Sequence, residues 1–519
     1  MSVKLNNIFS FLKRMDPILF LAIALAHTLP VFLIDGFVTI DGPAHLYNSY
    51  LIYQLLFEEA GLAHQFYELN SFWVPNASGH YLLVFLQLIF SPIIAEKVLI
   101  SGLIIAQAYA LRYFWLSFSK AAIYLVYLAF PLIFSLTFFF GFYNYTVGLV
   151  FYLLLLGYAI RRWDKLFDMK QDYLFLFVFI GISYFSHSLC FGLALLSLFL
   201  LSISIYGKDL KRAFYYNLKL GLIAIPFLIM FLLYLFSMEA AISEWIYSSP
   251  AELWGRFTDV ATLVAFSSAE EVIYTQIIGI VLLVLLILTI VKTFGKQESG
   301  ISKKWRFGIY LLLLLIVLYV SLPELTSDGG IITFRIHWFM LLIVIAMIST
   351  QRQSRLVKVM ALIAIGFAHI MLCTYYWDAQ TGRAQDLNHY KALGGQIQPN
   401  SVVLPLCDFA WDRKHFSNIV GLKPNTIVLY NYEAPKAYFP LKYKQSGSPK
   451  PIIEGVDLYD GHLNFLPKVF NDQSRQVDYL IIHKHDRKFP QMPELKESLE
   501  TNYELVEKKG SLSLYRMRD

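Results

Sequence analysis

The chain has 519 residues, of which 57% are hydrophobic, 17% aromatic and only 15% charged, and its mean hydropathy is +0.54. These values exclude an ordinary water-soluble globular protein. A formal charge of +6 over this length does not suggest a nucleic-acid partner, and the three cysteines, Cys190, Cys373 and Cys407, form no CxxC pair and fit neither a disulfide framework nor a thiolate metal site.

Eleven apolar runs are long enough to approach the ~30 Å of a bilayer's hydrocarbon core: 17–34, 95–116, 121–140, 145–161, 172–186, 188–206, 215–237, 274–293, 306–322, 336–350 and 356–376. The first lacks a small-residue cleavage site and reads as a retained span. Lysine and arginine orient the chain. Segments 1–16, 161–171, 207–219, 292–306 and 351–358 carry 3, 4, 4, 5 and 3 of them, whereas 35–79 carries none and 238–273 only Arg256. The basic segments are therefore expected inside, and 35–94, 238–273, 323–335 and everything after about 377 outside. This reading places the protein in a membrane, by preference a bacterial inner membrane, with a cytoplasmic N-terminus and a periplasmic C-terminal domain.

The long first outer loop, 35–94, opens with Ile34-Asp35-Gly36-Phe37-Val38-Thr39-Ile40-Asp41-Gly42-Pro43-Ala44-His45-Leu46-Tyr47-Asn48. A helix from Gly42 to Leu56 is expected to lie along the membrane surface. If Pro43 occupies its first turn, Asp41 caps it. Asp41, His45 and Asn48 are also spaced by four and seven, which aligns them on one helix face. A carboxylate, an imidazole and an amide so arranged can take a proton from an acceptor hydroxyl and orient a phosphate or sugar. Further on, Trp73-Val74-Pro75-Asn76 and His80 combine a fixed turn with a stacking ring and a hydrogen-bonding group suited to a sugar or headgroup; Trp73 equally fits an aromatic belt. The apolar piece 80–91 is too short to span and ends at Ser91-Pro92, so it reads as an interfacial or re-entrant helix.

Two short connections follow, one holding Asn144 and the other Ser186-His187-Ser188, and polar groups at membrane depth are costly enough to suggest function. The loop 323–337 brings Gly329-Gly330, Arg335 and His337. Arg335 stands on the side that the basic bias disfavours, where its planar fork can grip a lipid phosphate or simply snorkel. From Thr381 onward, charges, Pro and Gly return. The β-rich runs 401–406, 426–430, 478–482 and 511–515 predict a small soluble α/β domain. The division is thus 1–376, transmembrane, and 377–519, soluble.

This layout resembles the GT-C superfamily of polyprenyl-phosphate-dependent glycosyltransferases, such as protein O-mannosyltransferases and aminoarabinose transferases. Asp41 in Asp41-Gly42-Pro43-Ala44-His45 stands where that family has its first-loop acidic motif, and 80–91 is similar to its last surface helix before the second span. The resemblance implies an inverting transferase that moves a sugar from a polyprenyl-phosphate donor to an acceptor at the outer face, among membrane lipids. By that resemblance Asp41 would be the base and Arg335 the phosphate holder; on their own chemistry and position His45 is the further catalytic candidate, and Asn48, Trp73, His80, Asn144, His187 and His337 are the candidates for binding substrate. Many members carry two adjacent acids, whereas Gly42 follows here, which counts against a divalent metal; Glu270-Glu271 offers further carboxylates or a charged helix start. A flippase for lipid-linked glycans and a non-catalytic assembly factor are the rival readings, the former disfavoured by the scarcity of acids within the spans.

Overall fold

A computed structural model describes residues 15–120, 123–237, 245–295, 302–326, 329–406, 411–444, 477–483 and 493–518. The helices are α1 Met15–Leu33, α2 Gly42–Phe57, α3 Leu62–Phe66, α4 Ser78–Gln87, α5 Pro92–Phe118, α6 Leu125–Phe140, α7 Tyr143–Arg162 and α8 Lys170–Ser186. They continue with α9 Ser188–Tyr206, α10 Leu210–Ser237, α11 Pro250–Thr258, α12 Ala269–Phe294, α13 Lys303–Ser321, α14 Ile332–Ile348, α15 Arg355–Gln396 and α16 Pro493–Asn502.

Each of the eleven apolar runs coincides with a helix, but the crossings are not equal. Eight of the described helices (α1, α5, α7, α9, α10, α12, α13 and α15) are long and apolar enough to cross a membrane. The other three are short. α8 and α14 have 17 residues each, about 26 Å at 1.5 Å per residue, and α6 is broken at Phe134–Ser135. Leu222, Ile225, Ile229, Leu232 and Leu233 of α10 and Ile280, Leu283, Val284 and Ile287 of α12 are exposed. In water such stripes would be a liability, and in a bilayer they are the lipid-facing wall. The chain is an integral membrane protein of helical class with a small C-terminal sheet.

The first loop departs from the expected surface helix. Twelve of the sixteen residues of α2 are buried, because α4 packs on one side and the turn 416–421 of the C-terminal part covers the other. Burial on all sides accommodates Leu46, Tyr47, Leu51 and Ile52, which do not fall on one stripe. α4 keeps Leu82 and Phe85 exposed, and Leu88, Ile89 and Phe90 follow before Pro92 starts α5, which suits an interfacial piece. Trp245, Ile246, Tyr247 and Trp254 around α11 are exposed in the same manner.

The predicted boundary near 377 does not interrupt the backbone. α15 runs for 42 residues, and its distal half buries Leu387, Tyr390 and Leu393 against the C-terminal part. Strands β4 Val402–Leu406, β5 Ile427–Val428, β7 Tyr479–His483, β8 Tyr503–Lys509 and β9 Leu512–Met517 form a sheet of order β5-β4-β7-β9-β8. β4, β5 and β7 are parallel and β9 and β8 antiparallel. All four expected β-rich runs contribute strands, and β8 is additional. A second tie crosses the chain: β1 Tyr67–Leu69, in the first loop, pairs antiparallel with β6 Leu441–Tyr443. The hairpin β2 Leu325–Thr326 and β3 Gly329–Gly330 leads into α14.

Gly421 marks a tight contact between the two parts, since a Cβ there would press on the ring of Tyr47 and lie 2.9 Å from Val428 Cγ2. Tyr47 is held in turn by the Val428 N–H, which donates to its hydroxyl at 2.9 Å. Gly421→Ala is therefore expected to lose about 1–3 kcal/mol of stability by overpacking, read as a lowered unfolding temperature of the detergent-solubilised protein.

Candidate functional site

The site begins where α1 ends. Gly36, at φ +87, turns the chain into an extended segment whose Ile40 and Asp41 N–H groups donate to Phe139 O and Phe140 O at 2.9 and 2.8 Å. Asp41 is thus fixed by backbone bonds to the end of α6. It stands at the N-cap of α2, yet its side chain makes no capping hydrogen bond. The capping duty that the sequence allowed is not what holds this carboxylate. It faces a cavity of about 530 Å³.

That cavity is lined by Asp41, His45, Asn144, His187 and Arg335, and from the C-terminal part by Tyr432, Tyr438 and Phe439. Asn76, at φ +66, and Gly329-Gly330 of the hairpin complete the rim. Five of the nine residues singled out in the sequence therefore share one space. His80 and Asn48 stand directly behind it. Trp73 and His337 do not reach it: the carbonyl of Trp73 accepts from the Tyr184 hydroxyl, and His337 is buried against Phe257 and Tyr319. The reason for His337 is helical geometry, because two residues apart on α14 it points away from Arg335.

The residue that organises the cavity wall lay outside the sequence reading. Glu433, fully buried, accepts from His45 Nδ1 at Oε1 and from His80 Nε2 at Oε2, both at 2.7 Å. Asn144 Nδ2 lies 3.3 Å from His80 Nδ1, which suits a neutral His80 protonated at Nε2. Burial raises the Glu433 carboxyl, but the two histidines outweigh it and bring it down to about 2. Burial likewise lowers His45, yet the charge and hydrogen bond of Glu433 win and its pKa is raised; for His80 burial prevails and the pKa is lowered. One anion, one cation and one neutral ring leave the trio without net charge, the arrangement a low-dielectric interior tolerates. Asn431 and Asn48 exchange amide bonds of 2.7 and 3.2 Å beside it. The signal in the sequence was the polar and aromatic run Asn431-Tyr432-Glu433, just past a parallel strand, where α/β sheets carry their ligands.

Asp41 meets the C-terminal part as well. His415 Nε2 is 3.5 Å from its Oδ1, and burial holds His415 down to about 3, so it is neutral. Burial pushes the Asp41 carboxyl up to about 6, against the lowering charge of His45. The neighbouring position cannot hold a second acid: a Cβ on Gly42 would clash with Thr39 and lie 2.6 Å from Glu96 Oε1 and 2.7 Å from Tyr143 Oη. A carboxylate occupies that space nonetheless, since Glu96 reaches it from α5 and accepts from Tyr143 at 2.8 Å. For a divalent ion the better donor set is His45, His80 and Glu433, whose ligand atoms lie within 4.8 Å of one another and match the nitrogen and oxygen preference of zinc. Glu270-Glu271 plays no part: Glu271 accepts from the Ala265, Phe266 and Ser268 N–H groups at the start of α12.

Arg335 forms the opposite wall. Its guanidinium lies 4.3 Å from the centroid of Phe142 and 5.4 Å from that of Tyr145. Among the described residues, no carboxylate lies within salt-bridge distance of it and its Nε has no hydrogen-bond partner. Nη1 is 3.2 Å from His187 Nε2, while the Leu189 N–H points at His187 Nδ1 from 3.2 Å. A neutral imidazole accepts at one nitrogen only, so Arg335 retains donors without acceptors.

Two solved structures follow a similar overall course: ArnT from Cupriavidus metallidurans bound to undecaprenyl phosphate, with 10% identity and a TM-score of 0.42, and the same protein in its apo state, with 11% and 0.39. Each comparison covers 96% of this chain and 97% of the other. No protein-family profile and no curated protein matches.

Removing the carboxylate of Glu433 strands a charged and a neutral imidazole in the wall. Glu433→Ala is expected to cost about 3–5 kcal/mol, measured by thermal unfolding. The pH dependence has two edges: the share from Glu433 is complete above its ordinary 4.5 and fades as pH falls toward 2, and the share from His45 is complete below its ordinary 6.5 and fades as pH rises through the raised value.

Proposed function

We propose that the protein is a glycosyltransferase that moves a sugar from a polyprenyl-phosphate donor to an acceptor hydroxyl at the outer face of the membrane. The observation that carries this reading is Arg335: a buried guanidinium with unmet donors and no carboxylate partner among the described residues, facing the same cavity as the Asp41 carboxylate. A buried cation of this kind is costly unless an anion completes it. A phosphate on a lipid tail supplies that anion, and a planar fork suits its oxygens. The space between the two groups, walled by Phe142, Tyr145, Tyr432 and Tyr438, offers the aromatic faces on which a sugar ring packs.

In this reading the acceptor oxygen attacks the anomeric carbon while Asp41 takes its proton, and the bond from that carbon to the phosphate oxygen breaks. The leaving polyprenyl phosphate keeps the electron pair, and Arg335 stabilises the charge it gains. Displacement in one step inverts the anomeric centre. Asn144, held by the Gly79 N–H at 2.6 Å, and His45, anchored on Glu433, border the sugar. The role for Asp41 requires its ionised form.

Asp41→Asn is expected to lower transfer of labelled sugar from lipid donor about 10²–10⁴-fold with an unchanged unfolding temperature. Full activity in that folded variant overturns the assignment. Because burial places the Asp41 carboxyl at about 6, the rate of the parent protein should rise with pH through that value. Arg335→Lys keeps the charge but loses the fork, so the donor KM should increase more than kcat falls.

A further inference from the structure

A second cluster of ligand-bearing side chains lies away from this cavity, where α1 packs against α15. His27 Nε2 and His369 Nε2 are 2.7 Å apart with the rings nearly parallel, and the Cys373 Sγ is 3.6 Å from His369 Nε2. The three ligand atoms fall within 4.8 Å of one another. Spacing explains the meeting: His369, Cys373, Tyr376 and Gln380 follow at steps of four, three and four, one face of α15. His27 sits at the kink of α1 before Pro30, and its Nδ1–H donates to the Ile23 carbonyl at 2.7 Å. That bond fixes the tautomer and leaves the Nε2 lone pair aimed into the cluster, the second-sphere arrangement common to metal-binding histidines.

Beside the cluster is a separate cavity of about 180 Å³, bordered by His27, Cys373, Tyr376, Trp377 and Gln380. Gln380 is 1% exposed, and neither its amide oxygen nor its nitrogen has a hydrogen-bond partner among the described residues. A buried amide left open in this way costs free energy and points to a polar occupant of the same space.

We infer that His27, His369 and Cys373 form a binding site for a soft transition-metal ion, Cu(I) in particular. Two imidazoles and a thiolate are the donors that select Cu(I) or zinc over the hard cations. Charge decides between those two within apolar surroundings. Two neutral imidazoles and one thiolate sum to −1, so a monovalent ion gives a neutral centre and a divalent ion leaves a net charge that the membrane interior penalises. One nitrogen–sulfur pair, His369 with Cys373, already stands at ligand spacing, and His27 Nε2 and Cys373 Sγ, within 4.8 Å of each other, would close up on the ion. Bonds of about 2.0 Å to nitrogen and 2.3 Å to sulfur put a nitrogen–sulfur pair roughly 3.5–3.7 Å apart and two nitrogens roughly 3.4 Å apart, so the imidazoles need separate by only about 0.7 Å. Binding releases the thiol proton. The CxxC rule overlooked this site because its ligands come from two helices 342 positions apart in sequence. The bound ion would tie α1, which delivers Asp41, to α15, which carries the C-terminal part.

The test uses the full-length protein in detergent, loaded anaerobically with Cu(I) alone and washed. Expected are one tightly held ion at this site and an X-ray absorption spectrum with one sulfur and two imidazole neighbours. Cys373→Ser should remove the sulfur signature and that ion, whereas Cys190→Ser leaves both, with unfolding temperatures confirming that each variant is folded. A spectrum of the parent with nitrogen and oxygen neighbours only, equal uptake by folded Cys373→Ser, or no uptake by the parent each overturns the proposal; the first two would place the ion elsewhere, and the third would leave a hydrogen-bonded histidine pair.

Discussion

One carboxylate determines how the two parts of this chain meet. Glu433 comes from the loop after β5 and ends fully buried between two imidazoles of the first loop. An unpaired carboxylate at that depth would neutralise or withdraw, so its two bonds of 2.7 Å set both the depth and the angle at which the C-terminal part seats. The amide exchange of Asn48 with Asn431, the pairing of β1 with β6 and the Tyr47–Val428 contact then fall into register around it. The cavity has its shape because this carboxylate is satisfied.

The same seat explains why Asp41 and Arg335 can coexist in one space without neutralising each other. Asp41 is held by backbone bonds to α6 and faces His415, while Arg335 lies over aromatic rings on the other wall. Neither is collapsed into an ion pair. Each keeps its bonding capacity toward the cavity, whose walls come from widely separated stretches of chain.

The helices were legible because hydropathy over 17 or more residues is a strong signal, and the orientation signal of lysine and arginine was equally uniform. The break at Phe134–Ser135 in α6 was not legible, since an unbroken apolar run does not reveal where a helix is interrupted. Asp41, His45, Asn144, His187 and Arg335 could be named from local spacing and from their cost at a membrane boundary. Glu433, Tyr432 and His415 were not named, because their partners lie more than 350 positions away and the run Asn431-Tyr432-Glu433 after a strand marks a candidate loop without showing what it will meet. His337 and Trp73 illustrate the converse: proximity in sequence to a site residue says nothing about which way a side chain points once the helix turns.

The 42 residues of α15 form a single helix about 63 Å long, reaching from one side of the bundle into the sheet with no proline and with Gly366, Gly382, Gly394 and Gly395 all held in helical conformation. A rod of this kind leaves no joint at which the C-terminal part could swing on its stalk. Any widening of the cavity must then come from the pieces that are not continuous with it, the β2–β3 hairpin and the run from Tyr432 to Phe439, both of which border it.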